Sequence, residues 1–390
     1  MTTKPSKKRK PAPESSSAPQ SGGIFWTIDG HLTPPSFLTL IAVPLILSGK
    51  FLYGGVILAI AMLVAIQIAM TQIKEEEKQA IRYNILEPDD IIAELEELEE
   101  AKQQSAESNE MTDTDKTKCL ACLSALAMKH KRINNEGNKT FPLLCQQAAY
   151  LTLRLLPKDS EAVGSSIALL ALVAKNEEVR QRNKYQADVY GLDRPIQGLQ
   201  AVLEMAKKEQ DEEREGELAE TLRKGCLFFG ALSDNDKDLN LSTTIVEEEG
   251  LELILDIANW FRFHEEIANW SMWAIFILCY DCIQNKVELI RLAGVTTVCS
   301  LLENNATSLE VTRHCIAILY DLLREGNTEA GKKYNYDPWA VRTQALAAGL
   351  HNTVVKAMNE FSDSMDIMMM GQEMLLGTGY RGDIPQFQQI

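Results

Sequence analysis

Hydrophobic residues recur every three to four positions along most of this chain. From Lys116 onward apolar side chains fall at i, i+3, i+4 and i+7, as in "CLACLSALAMKH" (119–130) and "TRHCIAILYDLLRE" (312–325). That spacing is the period of an amphipathic α-helix, and no alternating strand pattern or Asn-Gly hairpin interrupts it. The pattern therefore predicts an all-α body.

Two apolar runs near the start of the chain do not follow this periodic pattern. Residues 51–70 carry no charge and are apolar on all faces, and at ~1.5 Å per residue they span ~30 Å, the thickness of a hydrocarbon core. The run predicts a transmembrane helix. The shorter run 32–48 contains Pro44 and is either the other arm of a helical hairpin or a wedge in the membrane interface. The hairpin, with arms 32–48 and 51–73, is the favoured interpretation.

Basic residues around the longer run set its expected orientation. Lys74, Lys78 and Arg82 follow it, whereas only Lys50 closely precedes it. Bases that flank a span stay on the cytoplasmic side, so the C-terminal body is expected in the cytosol. We expect an integral membrane protein of the endoplasmic reticulum or another endomembrane.

Composition divides the chain into five predicted segments. The acidic stretch after the anchor is interpreted as a solvated spacer helix, and a binding site for a basic partner is the alternative. The segments are a disordered basic tail (1–30), a membrane anchor (31–73), an acidic helical spacer (74–115), a helical solenoid (116–380) and a short tail (381–390).

Within the helical body one frame recurs: a short helix, a glycine, an apolar helix, a loop and a longer apolar helix. It is clearest in "KVELIRLAGVTTVCSLLENNATSLEVTRHCIAILYDLL". The glycines that mark the frame are Gly191, Gly250, Gly294 and Gly349, separated by 59, 44 and 55 residues. A period near 40–47 with insertions is typical of stacked helical repeats. Gly294 is expected at a turn between two helices, where a left-handed or tightly packed backbone excludes a side chain.

The quoted frame resembles an armadillo repeat, and the resemblance covers about residues 180–380. It implies an armadillo-like α-solenoid, here expected to follow one or two transmembrane helices and a disordered basic N-terminus. It also implies that partners bind along a groove lined by the third helix of each repeat. Aligning the third helices places Trp273 at the family's tryptophan position, while the asparagines that follow it in the nuclear-import receptors are absent.

The candidate partner-binding groove consists of five residues on three successive third helices. The alternative for the two tryptophans among them is ordinary packing between helices. The five are Asp234, Trp270, Trp273, Arg313 and Asp321.

Little in the sequence points to chemistry. A net charge of −16 disfavours nucleic acid as a partner. The eight cysteines lie mostly in apolar helical patterns, which indicates reduced core thiols. The pairs Cys119/Cys122 and Cys279/Cys282 are too far apart for a zinc ribbon, and "GNTEAGKK" (326–333) lacks the hydroxyl and preceding strand of a phosphate-binding loop. No metal, cofactor or enzymatic activity is predicted.

The predicted function is a membrane-anchored, cytosol-facing armadillo-like scaffold that mediates protein–protein interactions. Its expected partners are proteins of unknown identity and the lipid bilayer. The alternative is a membrane-shaping hairpin protein whose solenoid is regulatory. An enzyme built on a helical toroid is disfavoured, because the five histidines form no cluster in the sequence.

Overall fold

The computed structural model describes part of the chain in detail, and that part falls into two compact units. The units are 1–77 and 78–390. The described residues are 27–28, 31–32, 82–83, 86–104, 111–132, 140–234, 240–325 and 329–387. In the first unit they form one antiparallel pair of two-residue strands, β1 (Thr27–Ile28) and β2 (His31–Leu32).

Every described element of the second unit is a helix. The first eight are α1 (Pro88–Gln104), α2 (Asp113–Arg132), α3 (Thr140–Leu155), α4 (Ser160–Val173), α5 (Glu177–Tyr185), α6 (Ala187–Tyr190), α7 (Asp193–Ala206) and α8 (Glu212–Ser233). The others are α9 (Leu241–Glu247), α10 (Gly250–Trp260), α11 (Glu265–Cys279), α12 (Ile283–Arg291), α13 (Gly294–Asn304), α14 (Leu309–Glu325), α15 (Glu329–Lys333), α16 (Pro338–Ala347), α17 (Leu350–Glu360) and α18 (Met365–Gly377).

Several of these helices begin just after an aspartate whose side chain caps the first turn. The Asp159 side chain accepts a hydrogen bond from the backbone N–H of Ala162 in α4, and Asp211 and Asp337 cap α8 and α16 in the same way. Such caps satisfy backbone donors that have no partner within the helix. The starts of these helices are therefore encoded locally.

Residues 241–377, called here the repeat region, contain three units of three helices. The units are α9–α11, α12–α14 and α16–α18. In each unit the residue before the second helix has a left-handed backbone: Glu249 (φ 67°), Ala293 (φ 56°) and Gly349 (φ 84°). The sharp turn at these residues ends the first helix and starts the second, so the units share one connection geometry.

Of the two reasons expected for a glycine at position 294, the structure shows close packing. A β-carbon there would collide with the side chain of Leu289 and lie 2.9 Å from the Leu289 carbonyl oxygen. The left-handed residue is Ala293, one position earlier. Gly250 repeats the arrangement against Ile245. These glycines let the second helix begin against the end of the first.

The longest helix of each unit packs beside its equivalent in the next unit. The row runs from α8 through α11 and α14 to α18, and α4 extends it by packing on the other side of α8. We call α8, α11, α14 and α18 the third helices, and their exposed side the third-helix face. The row is consistent with an α-solenoid.

The helices before residue 235, called here the N-terminal region, pack without that repeat geometry. The acidic helix α1 lies against α3 and buries Ile91 and Leu95. Arg154 of α3 donates to Glu99 at 2.6 Å. Within the stretch interpreted as a solvated spacer, helix α1 is therefore packed against the body.

The predicted fold class put one or two transmembrane helices before the solenoid, and that part of it is wrong for the fold described here. Among the described residues, none of the helices combines the length and the apolar character needed to cross a membrane. Of the two apolar runs behind the prediction, 32–48 and 51–73, only Leu32 is described, and it belongs to strand β2; the rest of both runs and most of the predicted basic tail lie outside the described residues. The fold supported by the described residues is helical, with one short β-hairpin.

Candidate functional site

Two tryptophans of α11 form an aromatic pair on the third-helix face. The rings of Trp270 and Trp273 meet edge to face with centroids 5.5 Å apart, and both rings are partly buried against the core. A β-carbon at Gly230 of α8 would collide with the Trp273 ring. The absence of a side chain at position 230 is what lets the ring lie across α8.

Arg223 of α8 joins this pair to the neighbouring helix. Its guanidinium lies 6.0 Å from the Trp270 ring centre, a cation–π contact. Glu220 holds the same group through bonds of 2.6 and 2.8 Å. The hydrogen bonds that Arg223 donates to Glu220 outweigh burial and raise the pKa of Arg223. The arginine is therefore fixed in place beside the aromatic rings.

Polar side chains bridge the third helices beyond α11. His314 of α14 lies 3.1 Å from the side-chain oxygen of Asn269 on α11. Arg313 reaches from α14 to Asp366 on α18 at 2.7 Å, and Tyr320 donates to Glu373 at 2.6 Å. These contacts tie adjacent third helices together across the exposed face.

Asp321 belongs to a buried charge cluster. Its carboxylate lies 2.8 Å from the ammonium of Lys286 on α12, and Glu325 lies 2.7 Å from the same ammonium. The Lys286 side chain is 2% exposed. Burial by itself would lower the pKa of Lys286, but the bonds to the two carboxylates outweigh it and raise that pKa. Asp321 therefore anchors α12 on α14.

A groove of about 800 Å³ lies over α4, between α2 and α8. We call it the α4 groove. Its floor is formed by the exposed side of α4, including Ser165, Ala168 and Leu172, and Leu227 and Arg223 of α8 line one wall. Because Arg223 also contacts Trp270, the groove and the tryptophan pair are parts of one continuous surface.

The five candidate residues lie on three adjacent third helices, and each of the charged ones has a partner. Asp234 caps the end of α8 and pairs with Lys175 at 2.8 Å. Arg313 is held by Asp366 and Glu310, and Asp321 by Lys286. All five side chains are partly buried, and the tryptophans are the members without a charge that this chain already pairs.

Sequence reasoning missed the α4 groove and Arg223. A usable signal was present in α4, the most apolar helix of the N-terminal region. Its exposed positions Glu161, Ser165, Ala168 and Leu172 follow the spacing i, i+4, i+7 and i+11. Small and apolar residues at outward positions of a helix indicate a surface made for contact.

Metal chemistry has no support in the described residues, where no group of three or more His, Cys, Asp or Glu side chains is placed to hold an ion. All eight cysteines are free. Burial raises the pKa of Cys119 and Cys122 to about 12, which keeps both thiols protonated at neutral pH. A thiol in that state is a poor metal ligand or nucleophile.

Comparison with known proteins adds no assignment: no family model, no curated protein and no solved structure matches this chain.

Proposed function

We propose that this chain is a scaffold of armadillo type that binds a segment of a protein partner on its third-helix face. The observation that carries the proposal is the surface formed by Trp270 and Trp273, with Arg223 in contact with Trp270 and lining the adjacent α4 groove. Tryptophan and arginine are the residues most enriched at the centres of protein interfaces.

The repeat architecture supports the same proposal. Stacked helical repeats present successive third helices side by side and so create a long surface on which an extended partner can lie. The three units with shared left-handed connections fit this architecture. The armadillo assignment rests on the order of a short helix, a close-packed turn, a second helix and a longer third helix.

The test compares partners captured by the full-length chain and by surface variants. Trp273→Ala removes the aromatic anchor, and a loss of roughly 2 kcal/mol or more in binding is expected for such an anchor. Ala317→Arg adds bulk at an outward position of α14 and removes no packed ring. Trp260→Ala, which changes a tryptophan that is 47% exposed at the end of the second helix α10, is the matched control.

The expected result is loss of the same partners in Trp273→Ala and Ala317→Arg, with partner capture by Trp260→Ala unchanged. Thermal denaturation of each variant checks that folding is intact. If Trp273→Ala fails to fold, Ala317→Arg alone decides the matter. Capture of every partner by a folded Ala317→Arg variant would overturn the proposal.

The scaffold proposal does not depend on where the protein resides. The predicted location at an endomembrane, with a cytosolic body, rests on residues 31–82, most of which lie outside the described residues. It stays a prediction.

A further inference from the structure

The walls and floor of the α4 groove are three helices that run in the same direction. At one end, Lys116 of α2 pairs with Asp159 at the start of α4, at 3.0 Å. Arg214 of α8 donates to Ser160 at 3.0 Å at the same end. At the other end Lys175 meets Asp234. The helices α2 and α8 therefore form two parallel walls, with α4 recessed between them.

The half of this groove toward the C-terminal end of α4 has an apolar floor. Small or apolar side chains from all three helices line it, and Leu172 is 42% exposed although it is aliphatic. The lining residues of this half are Ala127, Ala168, Ala171, Leu172 and Leu227. From Ser160 to Leu172 the floor is ~18 Å long at ~1.5 Å per residue, which is three turns of a helix. A partner helix that buries leucine-sized side chains fits this length and chemistry.

The acidic side chains of the groove are already neutralised by bases of this chain. Glu217 pairs with Arg214 at 3.1 Å, and Glu161 pairs with Lys116 at 3.1 Å. Glu220 is shared between Arg223 and Lys224. Each carboxylate that lines the groove therefore already has a base of this chain within 4 Å.

Basic side chains of the groove remain in excess. Four bases and three acids line it, in a chain whose net charge is −16. Lys131 on the α2 wall has no ion pair with any described residue, and Lys224 on the α8 wall lies 3.5 Å from a carboxylate that Arg223 already holds in two bonds. The groove thus has an apolar floor between two walls that each carry a lysine.

From this arrangement we infer that the α4 groove binds an acidic amphipathic helix of a partner protein. The apolar side of that helix lies on Ala168 and Leu172, and its carboxylates face Lys131 and Lys224. A helix laid in an apolar groove is a common mode of peptide recognition, and complementary charge selects among candidate helices. The inference deepens the proposed scaffold function, on which it rests.

The test uses a defined probe, a fluorescein-labelled peptide of about 14 residues, which is ~20 Å long as a helix. Leucines occupy one helical side and glutamates the other, and a second peptide carries lysine in place of each glutamate. Fluorescence anisotropy with the full-length chain measures both. The glutamate peptide is expected to bind more tightly, with an advantage that shrinks as salt is added.

Charge reversal in the groove gives the sharper readout. In Lys131→Glu/Lys224→Glu the glutamate peptide is expected to lose about tenfold or more in affinity, or ~1.4 kcal/mol. The lysine peptide is expected to gain affinity for the same variant. The matched control is Lys208→Glu/Lys356→Glu, which makes the same change in net charge at two exposed lysines outside the groove.

The outcomes separate this inference from the proposed function. Equal affinity of the two peptides, or an unchanged affinity in the groove variant, overturns the acidic-helix assignment. Loss of captured partners in Ala317→Arg still supports the scaffold in that case. If the groove variant and the control lose affinity equally, the effect is one of net charge and the assignment is overturned as well.

Discussion

The repeat region and the N-terminal region use the same kind of helices but leave different surfaces. In the repeat region α11, α14 and α18 lie side by side, and contacts such as Arg313 to Asp366 close the space between them. In the N-terminal region α4 separates α2 from α8, and a groove of about 800 Å³ stays open above it. The repeat region has smaller cavities, such as one of about 410 Å³ beside Tyr320 and Glu373, and the wider groove lies in the less regular N-terminal region.

The connections explain the difference. Every described residue with a positive φ lies at position 240 or later, and three of them start the second helices of the repeat units. A shared turn repeats the same helix placement from unit to unit. The N-terminal region lacks that turn, so its helices are placed by packing, as when α1 docks on α3 through Arg154.

A pair of lysines makes the comparison measurable. Each lies between two carboxylates at similar distances: Lys286 at 2.8 and 2.7 Å in the repeat region, and Lys116 at 3.0 and 3.1 Å in the N-terminal region. The Lys286 side chain is 2% exposed, whereas that of Lys116 is 31% exposed. Breaking a buried pair leaves charges without compensation, while water screens an exposed one.

The largest effect is therefore expected for Lys286→Met. It removes the buried ammonium that Asp321 and Glu325 both contact, so the free energy of unfolding should fall by about 2–3 kcal/mol, less than for a fully buried pair because the Asp321 side chain is 32% exposed. Lys116→Met should lower it by less than about 1 kcal/mol. Urea denaturation of the full-length chain measures both. Equal losses in the two variants would contradict the difference between the regions.

Two further measurements attribute the loss to charge. Adding Asp321→Asn and Glu325→Gln to Lys286→Met should recover most of the stability, since the two carboxylates that contacted the lost ammonium are then neutral. The pKa of Lys286 is raised, so its contribution is fully present below the ordinary lysine value of ~10.4 and is lost as pH rises through the higher folded value. The gap between wild type and Lys286→Met should narrow in that alkaline range.

Glycine substitutions test the turns between helices, and the expected changes in stability are smaller. Gly294→Ala places a β-carbon against Leu289 and its carbonyl, which should destabilise the chain by about 1–3 kcal/mol. Gly216→Ala in α8 meets nothing within 4 Å and removes a flexible residue from a helix, so it should stabilise by about 0.5–1 kcal/mol. The two changes are chemically identical, and melting temperatures that moved in the same direction would contradict the assigned packing at Gly294.

Much of the repeat region could be predicted because its information is local. Gly250 and Gly294 recur at the same place in a helical frame, and Asp337 stands just before a helix. The burial of Lys286 could not be read from "NKVELIRLAG", where it looks like any exposed helical lysine. Lys286 is buried beside two carboxylates, Asp321 and Glu325, that lie on another helix, so the local sequence does not show its environment.

The α4 groove was beyond prediction for a related reason. It exists because Ala127 and Leu227, a hundred residues apart in sequence, line the two sides of α4. The candidate residue Trp273 was found from a family resemblance, but its position over Gly230 depends on how closely α8 and α11 approach. Distances between helices depend on packing throughout the core, so a local sequence pattern does not predict them.

The smallest effect on the free energy of unfolding is expected at a turn that two repeat units form with different residues. Ala293 and Gly349 both precede a second helix with a left-handed backbone, and Ala293 is exposed. A left-handed backbone costs an L-residue roughly 1–2 kcal/mol, while glycine loses about 0.5–1 kcal/mol more conformational entropy than alanine on folding. Ala293→Gly should therefore stabilise the chain by about 0.5 kcal/mol, and Gly349→Ala should destabilise it by a similar amount. Urea midpoints measure the opposite shifts, with Ala293→Val as a control that should lose stability because a β-branched residue tolerates this backbone worst. If Ala293→Gly lost stability as well, the turns at Ala293 and Gly349 would not be equivalent. The repeat units would then not share one connection geometry.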